Sequence, residues 1–224
     1  MLRDNVATYW RELHQLVAAV PVADVARAAE LILACHDRNG RIFVLGNGGS
    51  AATASHFATD LGKGTRTPGI QPVRVLALTE NVALLTALGN DLGYDRVFAE
   101  QLETLLEPDD VVVLISASGN SLNVLAAADV ARARGATLVA LTGQSGGRLH
   151  RLADHSIRVP ARPIEQVEDA HLMIAHSICV ALRETFQARS GGKVLAANGA
   201  RRRRSAIDNA VSDALGLRPA ADKA

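Results

Sequence analysis

Aromatic side chains are scarce in this 224-residue sequence, with one Trp, two Tyr and four Phe. Surfaces that bind by stacking on bases or flat rings therefore have little material. There are only two cysteines, Cys35 and Cys179, far apart and with no CxxC pair. That excludes a disulfide framework and suits a reducing cytosol. No apolar run reaches membrane-spanning length, and the polar N-terminus has no signal-peptide core, so the expectation is a cytoplasmic protein without a membrane partner. Net charge is only +1, which gives no global nucleic-acid or membrane signal. The basic character is local. Residues 187–224 hold eight Lys/Arg, Arg201 to Arg204 among them, against three Asp, so the rest of the chain is slightly acidic. We divide the chain into a domain over 1–188 and a basic, flexible tail over 189–224, with a short amphipathic helix over 206–217. The arginine run reads as solvated charge rather than a nucleic-acid contact.

Dinucleotide and triphosphate fingerprints are missing as well. The stretch Gly46-Asn47-Gly48-Gly49-Ser50 continues with Ala51, so there is no Gly-x-Gly-x-x-Gly, and no Gly-Lys-Ser/Thr follows.

What is present is an alternation of elements in a chain that is 48% hydrophobic. Helical spacing runs over residues 2–38, broken at Pro21. With no strand yet to cover, this apolar pair is assigned to an oligomer interface, the alternative being that it folds onto its own domain. Apolar runs at 42–45, 73–78, 111–115, 136–141 and 156–159 read as strands. Helices are expected over 51–61, from a Thr79 cap onward, over 97–106, 122–134 and 164–186. Residues 62–69 read as a flexible loop rich in breakers, and Asn90 and Asp91 as exposed on a turn. This order predicts a three-layer α/β sandwich around a five-stranded parallel sheet, whose ligands bind beyond the carboxyl ends of the strands.

Two loops fall at such ends. The first is Gly46–Ser50, leading into a helix that carries His56 and Asp60 on one face. The second is Ser116-Ala117-Ser118-Gly119-Asn120-Ser121, three hydroxyls and free N–H groups at a helix N-terminus, a neutral cradle for phosphate. The last helix adds Glu168 and His176, eight residues apart and roughly 80° apart in arc. Two imidazoles and two carboxylates from two helices suit a divalent metal such as zinc, or a general acid and base. His171 lies off that arc and is assigned to packing or support. His14, His36, His150 and His155 carry no functional assignment.

At these residues the sequence resembles the sugar isomerase (SIS) domain superfamily, and within it the bacterial phosphoheptose isomerases. The likeness rests on Gly46–Ser50, His56-Phe-Ala-x-Asp60, Gly89-Asn-Asp-x-Gly93, Ser116–Ser121, Leu141-Thr-Gly143, and Glu168 with His176. It implies a flavodoxin-like SIS fold, N-terminal helices for oligomerisation, usually a homotetramer, and aldose–ketose isomerisation of sedoheptulose 7-phosphate through an enediol, the first step toward a nucleotide-activated heptose. It also implies roles. Asp60 and His176 would be catalytic. Asn47, Gly48, Gly49, Ser50, Asn90, Asp91 and Glu168 would contact the sugar, together with Asp60. Ser116, Ala117, Ser118 and Ser121 would hold the phosphate. His56, Asp60, Glu168 and His176 would bind zinc. The family often has Glu at the position of Asp60, Gln at that of Glu168 and Thr at that of Ala117. Alternatives are an isomerase of another phosphosugar, and a non-catalytic SIS protein that senses a sugar phosphate or binds the replication initiator.

Overall fold

The apolar runs do become parallel strands, and their period-two alternation decides which helices they hold. A computed structural model describes residues 1–191. The basic segment from 192 onward, with the arginine run and the helix expected there, lies outside the described residues. The strands are β1 (Arg41–Gly46), β2 (Arg74–Ala77), β3 (Val111–Ser116), β4 (Thr137–Gly143) and β5 (His155–Val159), in the order β2-β1-β3-β4-β5 and all parallel. This is the flavodoxin-like order, whose switch point lies between β1 and β3. The central strand β3 is buried along its whole length, whereas the edge strand β2 exposes Arg74 and Leu76, as burial on both faces requires of a parallel sheet's centre.

The helices are α1 (Leu2–Ala19), α2 (Val22–Asp37), α3 (Gly49–Thr59), α4 (Val82–Asp91), α5 (Ala99–Leu105), α6 (Leu122–Ala133), α7 (Leu149–Leu152) and α8 (Ile164–Arg189). On one face of the sheet, Ile42, Val44, Val113, Val139 and Leu141 pack under Ala28 and Ile32 of α2, Phe57 of α3 and Ile174 and Ile178 of α8. On the other, Phe43, Leu45, Val112, Leu114 and Leu138 pack under Leu102 of α5 and the alanines of α6. Each large side chain buried this way contributes about 1.5–3 kcal/mol. Below the sheet, Asp110 is buried and accepts from the Arg41 backbone N–H (2.7 Å) and the Glu107 N–H (2.9 Å), while Arg41 Nη2 pairs with it at 3.0 Å. A buried charge is tolerable only with such partners.

Several local expectations are corrected. Asn81, not Thr79, caps α4: its Oδ1 accepts from Leu84 N at 3.0 Å, and the Thr79 hydroxyl meets Ser55 Oγ at 2.9 Å. Asn90 and Asp91 are the last residues of α4 rather than members of a separate turn, though both are exposed. The helix expected over 97–106 is present as α5, Ala99–Leu105, and a short 3₁₀ turn, Tyr94–Arg96, precedes it. The breaker-rich loop begins as a π-helical turn, Asp60–Gly64, that continues α3. Buried Thr65 stabilises it by donating its hydroxyl to Leu61 O at 2.7 Å. Both cysteines are free and buried, and among the described residues no helix is long and apolar enough to cross a membrane.

His171 is fully buried on the sheet side of α8. Its ring lies near the Thr142 backbone, yet neither ring nitrogen has a well-formed hydrogen bond. Burial pushes its pKa down to about 4. The folded chain therefore refuses a proton that the unfolded chain accepts below about pH 6.5. The resulting stability is complete above pH 6.5 and is lost as pH falls from there toward 4. At pH 5 the loss is about 2 kcal/mol. In chemical denaturation at pH 7 and pH 5, His171→Leu is expected to lose that part of the pH dependence, whatever its absolute stability. An unchanged difference between the two pH values would contradict the assignment.

Candidate active site

The first loop leaves β1 at Gly46 and enters α3 at Gly49, with Gly48 at φ 54°. Asn47 is half-buried, Gly48 and Gly49 are exposed, and Ser50 is buried in the first turn of α3. The Asn47 side chain reaches across to α6. Its Nδ2 donates to Asn123 Oδ1, and Asn123 Nδ2 donates back to Asn47 Oδ1, both at 2.8 Å. The Glu168 carboxylate lies directly against Gly49, so close that a Cβ there would collide with it. A negative charge is favoured at that place by the free N–H end of α3.

The serine loop follows β3. Ser116 Oγ and Ser121 Oγ are 3.3 Å apart, and Ser118 is exposed. Ser121 occupies the N-cap of α6 without capping it through its side chain, so its hydroxyl stays available to a ligand. The loop is held from behind by the turn after β4. Gly143 N donates to Ala117 O (2.9 Å), Leu149 N to Gly119 O (2.9 Å) and Arg148 N to Asn120 Oδ1 (3.0 Å). Gly119 has φ +63°, and a Cβ on it would run into the Gly146 carbonyl. Only glycine meets both conditions.

His56 from α3, Asp60 from the π-turn and His176 from α8 converge. Their ligand atoms lie within 4.8 Å of one another. His56 Nε2 and His176 Nε2 are 3.2 Å apart, and Asp60 Oδ2 is 3.5 Å from the first and 3.6 Å from the second. Two imidazole nitrogens that face each other beside a carboxylate oxygen fit a divalent cation with three protein ligands and an open position. Without a cation, the same atoms set a carboxylate 3.5–3.6 Å from two imidazoles, groups suited to acid–base work through one bridging water. Glu168 is not in this cluster. It lies two helical turns from His176, about 12 Å along the axis, and at Gly49 instead. Cys179, one turn beyond His176, is pushed up to about 12, first by burial and then by the Asp60 carboxylate, and so is a neutral thiol.

Asn90 and Asp91 stand exposed at the end of α4, with Asn90 Nδ2 donating to Asp91 Oδ1 at 2.7 Å. Two residues of the site have no counterpart in the sequence reading. One is Asn123, only 3% exposed. The other is Tyr94, whose hydroxyl donates to Asn47 Oδ1 at 3.0 Å. Their signals were slight: an asparagine two places after the serine loop, and one of the chain's few aromatics just after Gly93.

The family model of the SIS domain matches residues 8–143. A phosphoheptose isomerase of Mycobacterium bovis is 44% identical over 156 residues, 69% of this chain and 79% of that protein. Phosphoheptose isomerase 1 of Campylobacter jejuni is 36% identical over 179 residues, 79% of this chain and 96% of that protein. The solved structure of the phosphoheptose isomerase of Neisseria gonorrhoeae superposes with a TM-score of 0.77 at 34% identity, covering 82% of this chain and all of that one.

The serine loop's dependence on Gly119 is open to a direct check. Gly119→Ala carries a left-handed backbone penalty of about 1–2 kcal/mol in addition to its collision. It is expected to lower stability in denaturant and to weaken binding of inorganic phosphate, followed by calorimetry, by about tenfold or more. Unchanged phosphate affinity would mean that the anion site lies elsewhere.

Proposed function

The chain belongs to the SIS domain family, and from that premise we infer that it is a phosphoheptose isomerase, interconverting sedoheptulose 7-phosphate and glycero-manno-heptose 7-phosphate through an enediol. Its relatives of that name support the activity. The observation that carries the reading to particular residues is the convergence of His56, Asp60 and His176, the first two on the segment that the first loop leads into.

On this reading the phosphate is bound by the Ser116, Ser118 and Ser121 hydroxyls, the Ala117 backbone and the free N–H groups of α6, so that phosphate affinity fixes the rest of the sugar. The residues Asn47 to Ser50, with Asn90, Asp91 and Glu168, contact the sugar's oxygens. His56 lies seven residues beyond Gly49, about 10 Å along α3, which leaves room for several carbons between phosphate and reacting centre. Asp60 and His176 form the acid–base pair. One takes the proton from the carbon next to the carbonyl while the other protonates the carbonyl oxygen, giving the enediol. Return of a proton to the neighbouring carbon, and loss of one from that enediol's other oxygen, completes the isomerisation.

His56, Asp60 and His176 would hold zinc, a borderline ion suited to two imidazoles and a carboxylate. When bound, such an ion supplies Lewis-acid polarisation of the carbonyl. Placing the activity in the cytoplasm agrees with two free, buried thiols.

We also read the protein as a homo-oligomer, with a tetramer as the form the resemblance implies. An apolar groove of about 350 Å³ between α1, α2 and α8 is lined by Val17, Val22, Val25, Met173 and Ile178. On α1, Leu2, Val6, Trp10 and Val17 are exposed. An unpartnered apolar surface of this kind is the usual mark of an interface.

Asp60→Asn and His176→Gln are each expected to lower kcat for sedoheptulose 7-phosphate by about 10²-fold or more, with KM changing much less. Chelation should lower turnover and zinc should restore it. Wild-type turnover in either variant would remove the acid–base assignment. Light scattering of the full chain should give a mass above the monomer's, and Val17→Asp with Met173→Asp should reduce it to the monomer's. A monomeric parent protein would refute the oligomer reading.

A further inference from the structure

Asn47, Asn123 and Tyr94 form a closed set of hydrogen bonds whose orientations follow by elimination. The Val124 backbone N–H can only donate, so the Asn123 atom it meets at 2.9 Å is Oδ1. The amide nitrogen of Asn123 must then face Asn47, which accepts through Oδ1 at 2.8 Å. Asn47 Nδ2 in turn donates to Asn123 Oδ1 at 2.8 Å. The Tyr94 hydroxyl meets the same Asn47 Oδ1 at 3.0 Å and has to donate to it. Both lone pairs of Asn47 Oδ1 are thereby used, and so is one of its two amide hydrogens. A single N–H remains for a ligand.

From this geometry we propose that Asn123 and Tyr94 are positioning residues that lock Asn47 as a one-way donor, an N–H aimed at a substrate oxygen and unable to accept from a sugar hydroxyl. The set also joins three segments distant in sequence. Asn123 lies in the first turn of α6, directly behind the serine loop. Asn47 belongs to the first loop. Tyr94 opens the 3₁₀ turn behind Asn90 and Asp91. A ligand that orders the serine loop thus meets a first loop already fixed in direction. Buried Asn123 is the rigid end of the relay, and Tyr94, 64% exposed, is the latch. The proposal rests on the phosphoheptose isomerase reading for its substrate, but on the hydrogen bonds alone for the relay.

The experiment has two arms on the full chain. In the first, Tyr94→Phe, Asn47→Ala and their combination are unfolded in urea. The unfolding constant of the double variant is expected to fall short of the product of the two single effects by about threefold, because both singles remove the same bond. Strict additivity overturns the relay, and this arm needs no turnover. In the second arm, Tyr94→Phe is expected to raise KM for sedoheptulose 7-phosphate by about three- to tenfold, the effect of one neutral hydrogen bond. Its kcat should change much less, and competitive inhibition by inorganic phosphate should be unaltered. Asn123→Asp still accepts from Val124 N and Asn47 Nδ2 but cannot donate to Asn47 Oδ1, and should shift KM in the same direction. An unchanged KM, or a loss of phosphate affinity parallel to the rise in KM, overturns the positioning role. Absence of turnover in the parent protein would overturn the substrate reading, with the urea cycle still deciding the relay.

Discussion

The pairing of β1 with β3, in the register that sets Gly46 opposite Ile115, is the constraint on which the site depends. The two strands are neighbours in space but separated in sequence by β2 and the three helices α3, α4 and α5, so the loops that leave them open side by side at the switch point of the sheet. Two helices, α3 and α6, start there and turn their free N–H groups toward one cleft. The amide pair between Asn47 and Asn123 spans the gap between those two starts. A slip of one residue in this register would reverse the faces of β1 and β3 and separate the loops.

The second organising contact is that of α3 with α8. It brings His56 and Asp60 to His176 across 3.2–3.6 Å, and α8 serves two purposes at once. Its inner face carries His171, Ile174 and Ile178 into the core, with His171 neutral there because burial opposes its charge. Its other side presents Glu168 to the first loop and His176 to the cluster. The π-turn at Asp60 belongs to the same contact. Asp60 has a short acidic side chain, one methylene less than a glutamate. The helix that carries it widens at that very residue, a local departure that π-turns commonly mark at functional sites.

Packing on the outer side of α8 leaves α1 loosely attached. Tyr9 donates to Asp169, and Gln166 Nε2 to Glu12 Oε2 at 2.9 Å, but α1 buries only Leu16 among its own residues. Its docking therefore depends more on polar links than on the core. Through Asp169 it touches the helix turn next to Glu168.

The sequence by itself determined the parallel sheet, because long apolar runs bounded by turns admit little else. It determined the two loops at strand ends, because glycine and serine clusters there have few other uses. It placed His56 and Asp60 on one face, because residues four apart on a helix are neighbours. Only the tertiary structure decided the rest. Glu168 shares an arc with His176, yet two turns of rise place it at Gly49 instead of in the cluster, and arc alone carries no information about rise against a second helix. The helical turn over Asp60–Gly64 was masked by its glycines and is held by buried Thr65. Asn123 and Tyr94 meet Asn47 across 76 and 47 residues. A hydrogen bond of that range leaves no periodicity in the chain and exists only once β1, β3 and the turn after α4 have packed.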